Sequence, residues 1–270
     1  MSASHTNSEI SNGKIMSPVQ ENAILRALGR SVNSADRGDL EPAMAQALSR
    51  GNLEECLLGI AEALRFGRVI LPILPHELNN QAECPRGQLP QVSLSAVTRA
   101  LAVPVFSSLS TFEEAVKNGL ATQMEPREDS SHPVRPMPVK GRALAIAALD
   151  SPGRILLDGR YLLPRPLLNA LVCSDTWVPS WKNQHFLTLI AQLFAEKLPG
   201  STWKIIPQEA APDRLVVWVD PATPALAQSL NALQMGINDL YNLEAAADLI
   251  EVTPVPTGCT SDSNHQVYVR

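Results

Sequence analysis

The chain has 270 residues, enough for one large domain or two modest ones that each bury a core. Hydrophobic residues make up 45 % of it, and 22 Lys and Arg against 27 Asp and Glu leave a net charge of −5. Mild acidity, with no two basic residues adjacent, argues against a surface built for nucleic acid or anionic membrane, and no window approaches the roughly 18 apolar residues of a membrane span.

Residues 1–17 are rich in Ser and Asn, lack the basic head and apolar run of a secretory signal, and read as a disordered tail. Ala23 to Leu28 suggests a short helical turn. A clearer helix is expected from Asp39 to Ser49, with Asp39 as its cap and Leu40, Met44, Ala47 and Leu48 on one face. Asn52, with Glu55 three places on, opens the next helix in a capping-box arrangement, and Leu53, Leu57, Ile60, Ala61 and Leu64 form its buried stripe.

Beyond Gly67 the pattern changes to a continuous apolar run, Val69 to Leu74, which predicts a strand covered on both faces; Pro72 places it at an edge or a strand end. His76 to Gln91 reads as a loop. Val92 to Leu94 and Val103 to Phe106 are the next strands, and Ser110 or Thr111 is expected to cap a helix carrying Phe112, Ala115, Val116 and Leu120. Glu125 to Pro138, with four prolines and mixed charge, reads as loop. Gly141 to Leu149 follows as an Ala-rich helix. Arg154 to Leu157 and Tyr161 to Pro164 flank an Asp158-Gly159 turn as a hairpin, and Pro166 to Val172 makes a short helix.

All four tryptophans, Trp177, Trp181, Trp203 and Trp218, lie beyond Cys173, and Ser174 to Ser180 has linker composition. A domain boundary near 175 therefore divides an α+β domain over 18–174 from a second over 175–256, with 257–270 a polar, disordered tail. The second half reads in order as a helix from Asn183 to Leu198, an antiparallel strand pair Trp203 to Ile206 and Leu215 to Val219, a helix from Thr223-Pro224 to about Gln234, a segment Ile237 to Leu243 that fits strand or helix with strand preferred, and a last ordered stretch at Glu251 to Thr253. Each half is expected to be a small sheet packed against helices, an α+β class. The thinly spread Cys56, Cys84, Cys173 and Cys259, with no CxxC pair, suggest reduced packing thiols and a cytoplasmic setting.

Signs of chemistry are sparse. Ser201-Thr202-Trp203-Lys204 has Ser-x-x-Lys spacing but lacks the companion elements of acyl-transfer enzymes. His76-Glu77 begins like a zinc-protease motif, yet position 80 is Asn, and the five histidines are dispersed, so no metal site and no cofactor are expected. Neither phosphate-cradling glycine motif is present. Ser107 and Ser108, before a helix start, are candidates for holding an anion or a peptide carboxylate, against the simpler role of capping that helix. Trp177 and Trp181 suit an interface, with packing between the two halves the simpler reading. Arg65, Arg68 and Arg160 have carboxylate-binding chemistry, with solvated surface positions the default.

Several segments taken together carry a family resemblance. Leu64-Arg65-Phe66-Gly67-Arg68 leads into Val69-Ile70-Leu71-Pro72-Ile73. Val103-Pro104-Val105-Phe106-Ser107-Ser108 and its helix follow, then Pro138-Val139-Lys140-Gly141 and Ile155-Leu156-Leu157-Asp158-Gly159 ahead of Leu163-Pro164-Arg165. This order resembles the N-terminal domain of SseB-like (enhanced serine sensitivity) proteins, and the second half resembles the smaller C-terminal domain that often follows it. The likeness covers roughly residues 20 to 255. Where that family tends to carry Asn-Pro after the late strand, this chain has Asp158-Gly159. The resemblance implies an α+β fold and a bacterial cytoplasmic protein, and it brings no catalytic residues. The expected function is a non-enzymatic protein- or peptide-binding module, with a groove at Val105, Phe106, Ser107 and Ser108 and Trp177 and Trp181 as candidate interface residues. Self-association is left open. An enzyme or small-metabolite sensor linked to amino-acid or sulfur metabolism, and a secretion-associated role, are the alternatives.

Overall fold

The computed structural model of the chain describes residues 36–73, 89–94, 100–125, 134–150, 152–240 and 246–257. The tail expected at 1–17 and the turn at Ala23 to Leu28 lie outside the described residues, as does the tail expected at 257–270 except for Thr257, whose N–H donates to the Val219 carbonyl at 2.8 Å. His76 and Cys84 also lie outside the described residues. The fold is α+β.

Two helices, α1 (Pro42–Leu48) and α2 (Leu53–Phe66), precede strand β1 (Arg68–Ile73). The first begins three residues later than Asp39 predicts. Glu41 stays extended and Pro42 supplies the fixed φ of the first turn, while the Glu41 carboxylate is engaged elsewhere. Asn52 caps α2 as expected, its side chain accepting from the Glu55 N–H at 2.8 Å. The stripe Leu57, Ile60, Ala61 and Leu64 is buried.

A five-stranded sheet runs in the order β4-β2-β3-β6-β7, from β2 (Gln91–Ser93), β3 (Leu101–Val105), β4 (Met124–Glu125), β6 (Ile155–Leu157) and β7 (Tyr161–Leu163). β3 and β6 are parallel; β6 and β7 form the hairpin read from Asp158-Gly159, both of which take the positive φ of a tight hairpin turn (51° and 66°). β1 joins this sheet through a pair of backbone bonds between Ile70 and Phe106, at 2.7 and 2.9 Å, and its other side pairs antiparallel with β5 (Arg135–Lys140). Most of β5 falls where the prolines predict loop. It is a strand because Pro136 and Pro138 stand opposite Pro72 and Ile70, whose own backbone groups face β3, so the missing N–H groups point outward and the β1–β5 ladder loses no donor.

The helices of this half are α3 (Leu109–Lys117), α4 (Leu120–Gln123), α5 (Gly141–Asp150) and α6 (Arg165–Cys173). The cap of α3 is Ser108, the simpler role read for it in the sequence, and not Ser110 or Thr111. Ser108 is the last residue still extended, and its hydroxyl and the Thr111 hydroxyl each accept from the other's backbone N–H at 3.2 Å. α5 starts with glycine for a packing reason: a methyl group at 141 would collide with the Leu64 carbonyl.

The second half follows the predicted order. A 3-10 turn (Ser180–Lys182) and α7 (Gln184–Lys197) lead to the antiparallel pair β8 (Thr202–Gln208) and β9 (Ala211–Val219). α8 (Leu226–Asn238) then crosses to β10 (Ile250–Pro256), which runs parallel to β9. α8 reaches Asn238, so the segment from Ile237 begins as helix, the less favoured of its two readings, and its residues 241–243 lie outside the described residues. Leu233 and Ile237, one helical turn apart, are both fully buried, which marks the 3.6 period.

Alternation along β1 divides the apolar residues between two clusters. Val69 and Leu71 join the main core; Ile70 faces a smaller one with Phe106, Phe112, Leu120 and Met124, where the two phenylalanines meet edge to face at 5.7 Å. The main core runs continuously from Met44 to Ile250 and includes residues from both sides of position 175. The β8–β9 turn also meets the β6–β7 turn: the Ala210 N–H donates to the Arg160 carbonyl at 2.7 Å, and Arg160 pairs with Glu209.

Candidate functional site

The last helical residue before β1 is Phe66. It stands two positions after Leu64, which places it some 200° around α2 from the buried stripe, and it is 83 % exposed. Gly67 closes the helix with its N–H on the Ala63 carbonyl, and Arg68 enters the strand.

Arg68 is not a solvated arginine. It is buried, and its guanidinium makes a two-pronged contact with Asp36, Nε to Oδ2 at 2.7 Å and Nη2 to Oδ1 at 2.9 Å. Nη2 also donates to the Asp39 carbonyl at 2.5 Å and Nη1 to the Ser107 carbonyl at 3.2 Å, while the Arg68 backbone N–H donates to Glu41 Oε2 at 2.9 Å. The hydrogen bonds from Arg68 hold the Asp36 carboxyl below the usual carboxylate range although burial pulls it the other way; the same bonds raise the guanidinium.

This pair floors a concavity of about 320 Å³ between the end of α2, the approach to α1 and strand β5. Phe66, Pro138, Lys140 and Glu41 stand around it. Asp36 and Arg68 neutralise one another. Lys140 is exposed and, among the described residues, holds no ion pair. The lining thus offers an aromatic face, a proline, one cation and one carboxylate.

The four residues first proposed as a groove lie just behind that floor. Val105, Phe106, Ser107 and Ser108 are all buried. The Ser107 backbone is clamped from two sides: its carbonyl accepts from Arg68, and its N–H donates to Asp158 Oδ1 at 2.8 Å. Asp158, at the position where the resembled family tends to have Asn, therefore serves the turn through its side chain, and its own N–H donates to the Val105 carbonyl at 2.9 Å. The Ser108 hydroxyl is committed to capping α3.

Trp177 and Trp181 pack edge to face at 5.8 Å within the main core, and both ring N–H groups are buried with no acceptor among the described residues. Arg65 donates to the Ser174 carbonyl at 3.0 Å, and Arg160 is exposed beside Glu209. Ser201 donates to the Leu198 carbonyl while Lys204 lies in β8, so the Ser-x-x-Lys spacing does not share a helical turn. His185 is exposed on α7. Among the described residues no three His, Cys, Asp or Glu side chains converge as metal ligands, and no helix is long and apolar enough to cross a membrane.

Two of the outer strand edges, those of β5 and β10, share one property. On β5 the outward positions include Pro136 and Pro138. On β10 the Thr257 N–H bonds to Val219 of β9 and the Val252 N–H turns away to Gln234, which places Pro254 and Pro256 on the outward side. Neither edge presents backbone donors at these alternate positions, so neither templates an added strand there.

Sequence reasoning missed both the Arg68–Asp36 pair and the rim of the concavity. The off-stripe position of Phe66 on α2 was the signal that could have found the rim; the ion pair, 32 residues apart, leaves none. No protein-family model, curated protein or solved structure matches the chain.

Proposed function

We propose that the chain is a protein- or peptide-binding module whose partner seats in the concavity over the Arg68–Asp36 pair. The observation that carries the reading is Phe66, a large aromatic side chain that is 83 % exposed on the rim of a concavity with a hydrogen-bonded floor. Exposed aromatics of this kind serve as anchors when a partner covers them. At about 320 Å³ the space sits at the small end of ligand pockets, which span about 300–1,000 Å³, and it suits one or two side chains of an extended segment. An apolar or aromatic partner residue would rest against Phe66 and Pro138, and a carboxylate of the same segment would meet Lys140.

Recognition by side chains fits the proline-blocked edge of β5, which disfavours strand addition beside the site. The resemblance to the N-terminal domain of SseB-like proteins supports the same reading, with the second half as the C-terminal domain. Free thiols at Cys56 and Cys173 fit a cytoplasmic setting.

The test is a peptide-display selection against the full chain, followed by titration of enriched peptides. Phe66→Ala should weaken them by about tenfold or more, the loss expected of an interface anchor, and Lys140→Glu should weaken those that carry an acidic residue. Enriched peptides that bind both variants as tightly as the parent protein would overturn the reading.

A further inference from the structure

The three-stranded sheet β10-β9-β8 has two unlike faces. Side chains alternate along β8 and β9, so Trp203, Ile205, Leu215, Val217 and Val219 point one way into the main core, where the Trp203 ring stacks on Phe194 of α7 at 5.3 Å. Leu233 and Ile237 of α8 enter the same core. The Ser180 turn packs on this side too. Its hydroxyl donates to the Asp213 carboxyl at 2.5 Å, and burial raises that carboxyl to about 7.

The opposite face is built from the intervening positions. The register sets Trp218 of β9 between Thr202 and Val255, Val216 between Lys204 and Thr253, and Arg214 between Ile206 and Glu251. Val216 is buried and Ile206, Trp218 and Val255 are half-buried, yet none of the four belongs to either hydrophobic cluster of the described residues. An apolar patch centred on Val216 and Trp218 therefore lies outside the core that the helices fill.

The charges on this face are unpaired as well. Among the described residues neither Lys204 nor Arg214 holds an ion pair, and the buried Arg214 Nε has no acceptor. A buried N–H left without an acceptor is uncommon. In a chain of net charge −5, two unpaired cations beside one apolar patch are complementary to added carboxylates. Glu251, in the same row as Arg214, disfavours a polyanion.

Size selects the kind of partner. From the Ile206 row to the Thr202 row a strand advances about 13 Å, and two strand spacings make the face about 10 Å wide. One α-helix with its side chains is about 10–12 Å across, so a single helix of about nine residues covers it. Lys204 and Arg214 are diagonal neighbours across β8 and β9, about 7–8 Å apart. Two acidic residues one turn apart on a helix, with Cβ atoms about 5–6 Å apart, reach both cations.

We propose that this face is a second docking surface, which takes an amphipathic helix of a protein partner, with apolar side chains on Val216 and Trp218 and two acidic side chains at Lys204 and Arg214. It shares no residue with the lining of the Phe66 concavity and does not depend on that site.

The test uses constrained helical peptides, displayed with apolar residues fixed at i, i+3, i+4 and i+7 and all other positions randomised. Selection is made on the full chain carrying Phe66→Ala, which removes capture by the concavity. Enriched peptides should carry acidic residues four places apart. Their affinity should fall about tenfold or more in Trp218→Ala, the loss expected of an aromatic anchor, and should also fall in Lys204→Glu. Lysine in place of one acidic residue of the peptide should restore binding to Lys204→Glu. That half-buried charge reversal keeps the test open should Trp218→Ala not fold. Absence of enriched peptides, or peptides that bind both variants as tightly as the unsubstituted face, would overturn the proposal. So would a dimer in sedimentation that Lys204→Glu dissociates, which gives the face to a second copy. Capture of the chain's own residues by a benzophenone side chain at position 253 would overturn it too, giving the face to another segment of the same chain.

Discussion

Replacing Arg68 by methionine should be among the most damaging single changes in the first half of the chain. The substitution keeps the aliphatic stem but deletes four side-chain hydrogen bonds, two to the Asp36 carboxylate and one each to the Asp39 and Ser107 carbonyls. Asp36 is then left with a charge that no cation meets, at a side chain only 20 % exposed, and the carbonyl of the buried Ser107 loses its Arg68 donor. Breaking one partner of a buried pair costs about 3–5 kcal/mol, against about 0–1 kcal/mol for a surface pair; partial exposure of Asp36 argues for the low end, about 3 kcal/mol. In a chain of this size that corresponds to a Tm lower by about 6–12 °C. Urea unfolding followed by circular dichroism reads the loss as a lower midpoint at unchanged slope. The cost should also depend on acid. Asp36 has its carboxyl lowered on folding, so the stability it confers is present above 3.8 and disappears as pH falls through its folded value. The gap between Arg68→Met and the parent protein should narrow there. A cost below about 1 kcal/mol at neutral pH, the size of a solvated pair, would refute the argument that this pair is a hydrogen-bonded floor.

Three further outcomes follow from neighbouring contacts. Ser108→Ala removes a reciprocal cap from α3 and should cost about 1 kcal/mol by thermal unfolding. Asp158→Ala leaves the Ser107 N–H without its 2.8 Å acceptor and should cost about 1–3 kcal/mol, measured by the same unfolding curves. Asp213→Asn should stabilise the protein at pH well above 7 by up to about 4 kcal/mol, the cost of ionising a carboxyl moved from 3.8 to about 7, and should change little near pH 4. Urea midpoints at the two pH values provide the check.

Much of the architecture was legible because local and global signals agreed. Asn52 with Glu55, the Asp158-Gly159 turn between two apolar runs, and the α7 to β10 order all combine periodicity with matching cap or turn chemistry. The errors came where one signal was read without its context. Pro136 and Pro138 suggested loop because the side to which a strand's N–H groups point is invisible until the partner's register is known. Ile237 fitted strand or helix because the few scattered apolar residues after it carry no clear period, and burial beside Leu233 marks it as helix. For α3 the sequence offered Ser110 or Thr111 as the cap as well as a capping role for Ser107 and Ser108, and the structure selects Ser108, within the usual uncertainty of element ends.

The site was less legible than the fold. Arg68 and Asp36 are 32 residues apart, and neither periodicity nor motif links them. The apolar groove residues Val105 and Phe106 drew attention by their hydrophobicity, which is the property that buries them. Phe66 escaped notice because an aromatic next to a buried stripe is read as core unless its angle around the helix is worked out.

The reading of this chain as a binding module is tested most directly by photo-crosslinking from two exposed apolar positions. Phe66 borders the concavity, while Met235, 66 % exposed on α8, does not line it. A benzophenone side chain placed at position 66 should capture a display-selected peptide, and the same group at position 235 should not. Capture at 235 alone, or equal capture at both positions, would contradict the assignment of the Phe66 concavity as the surface that grips a partner.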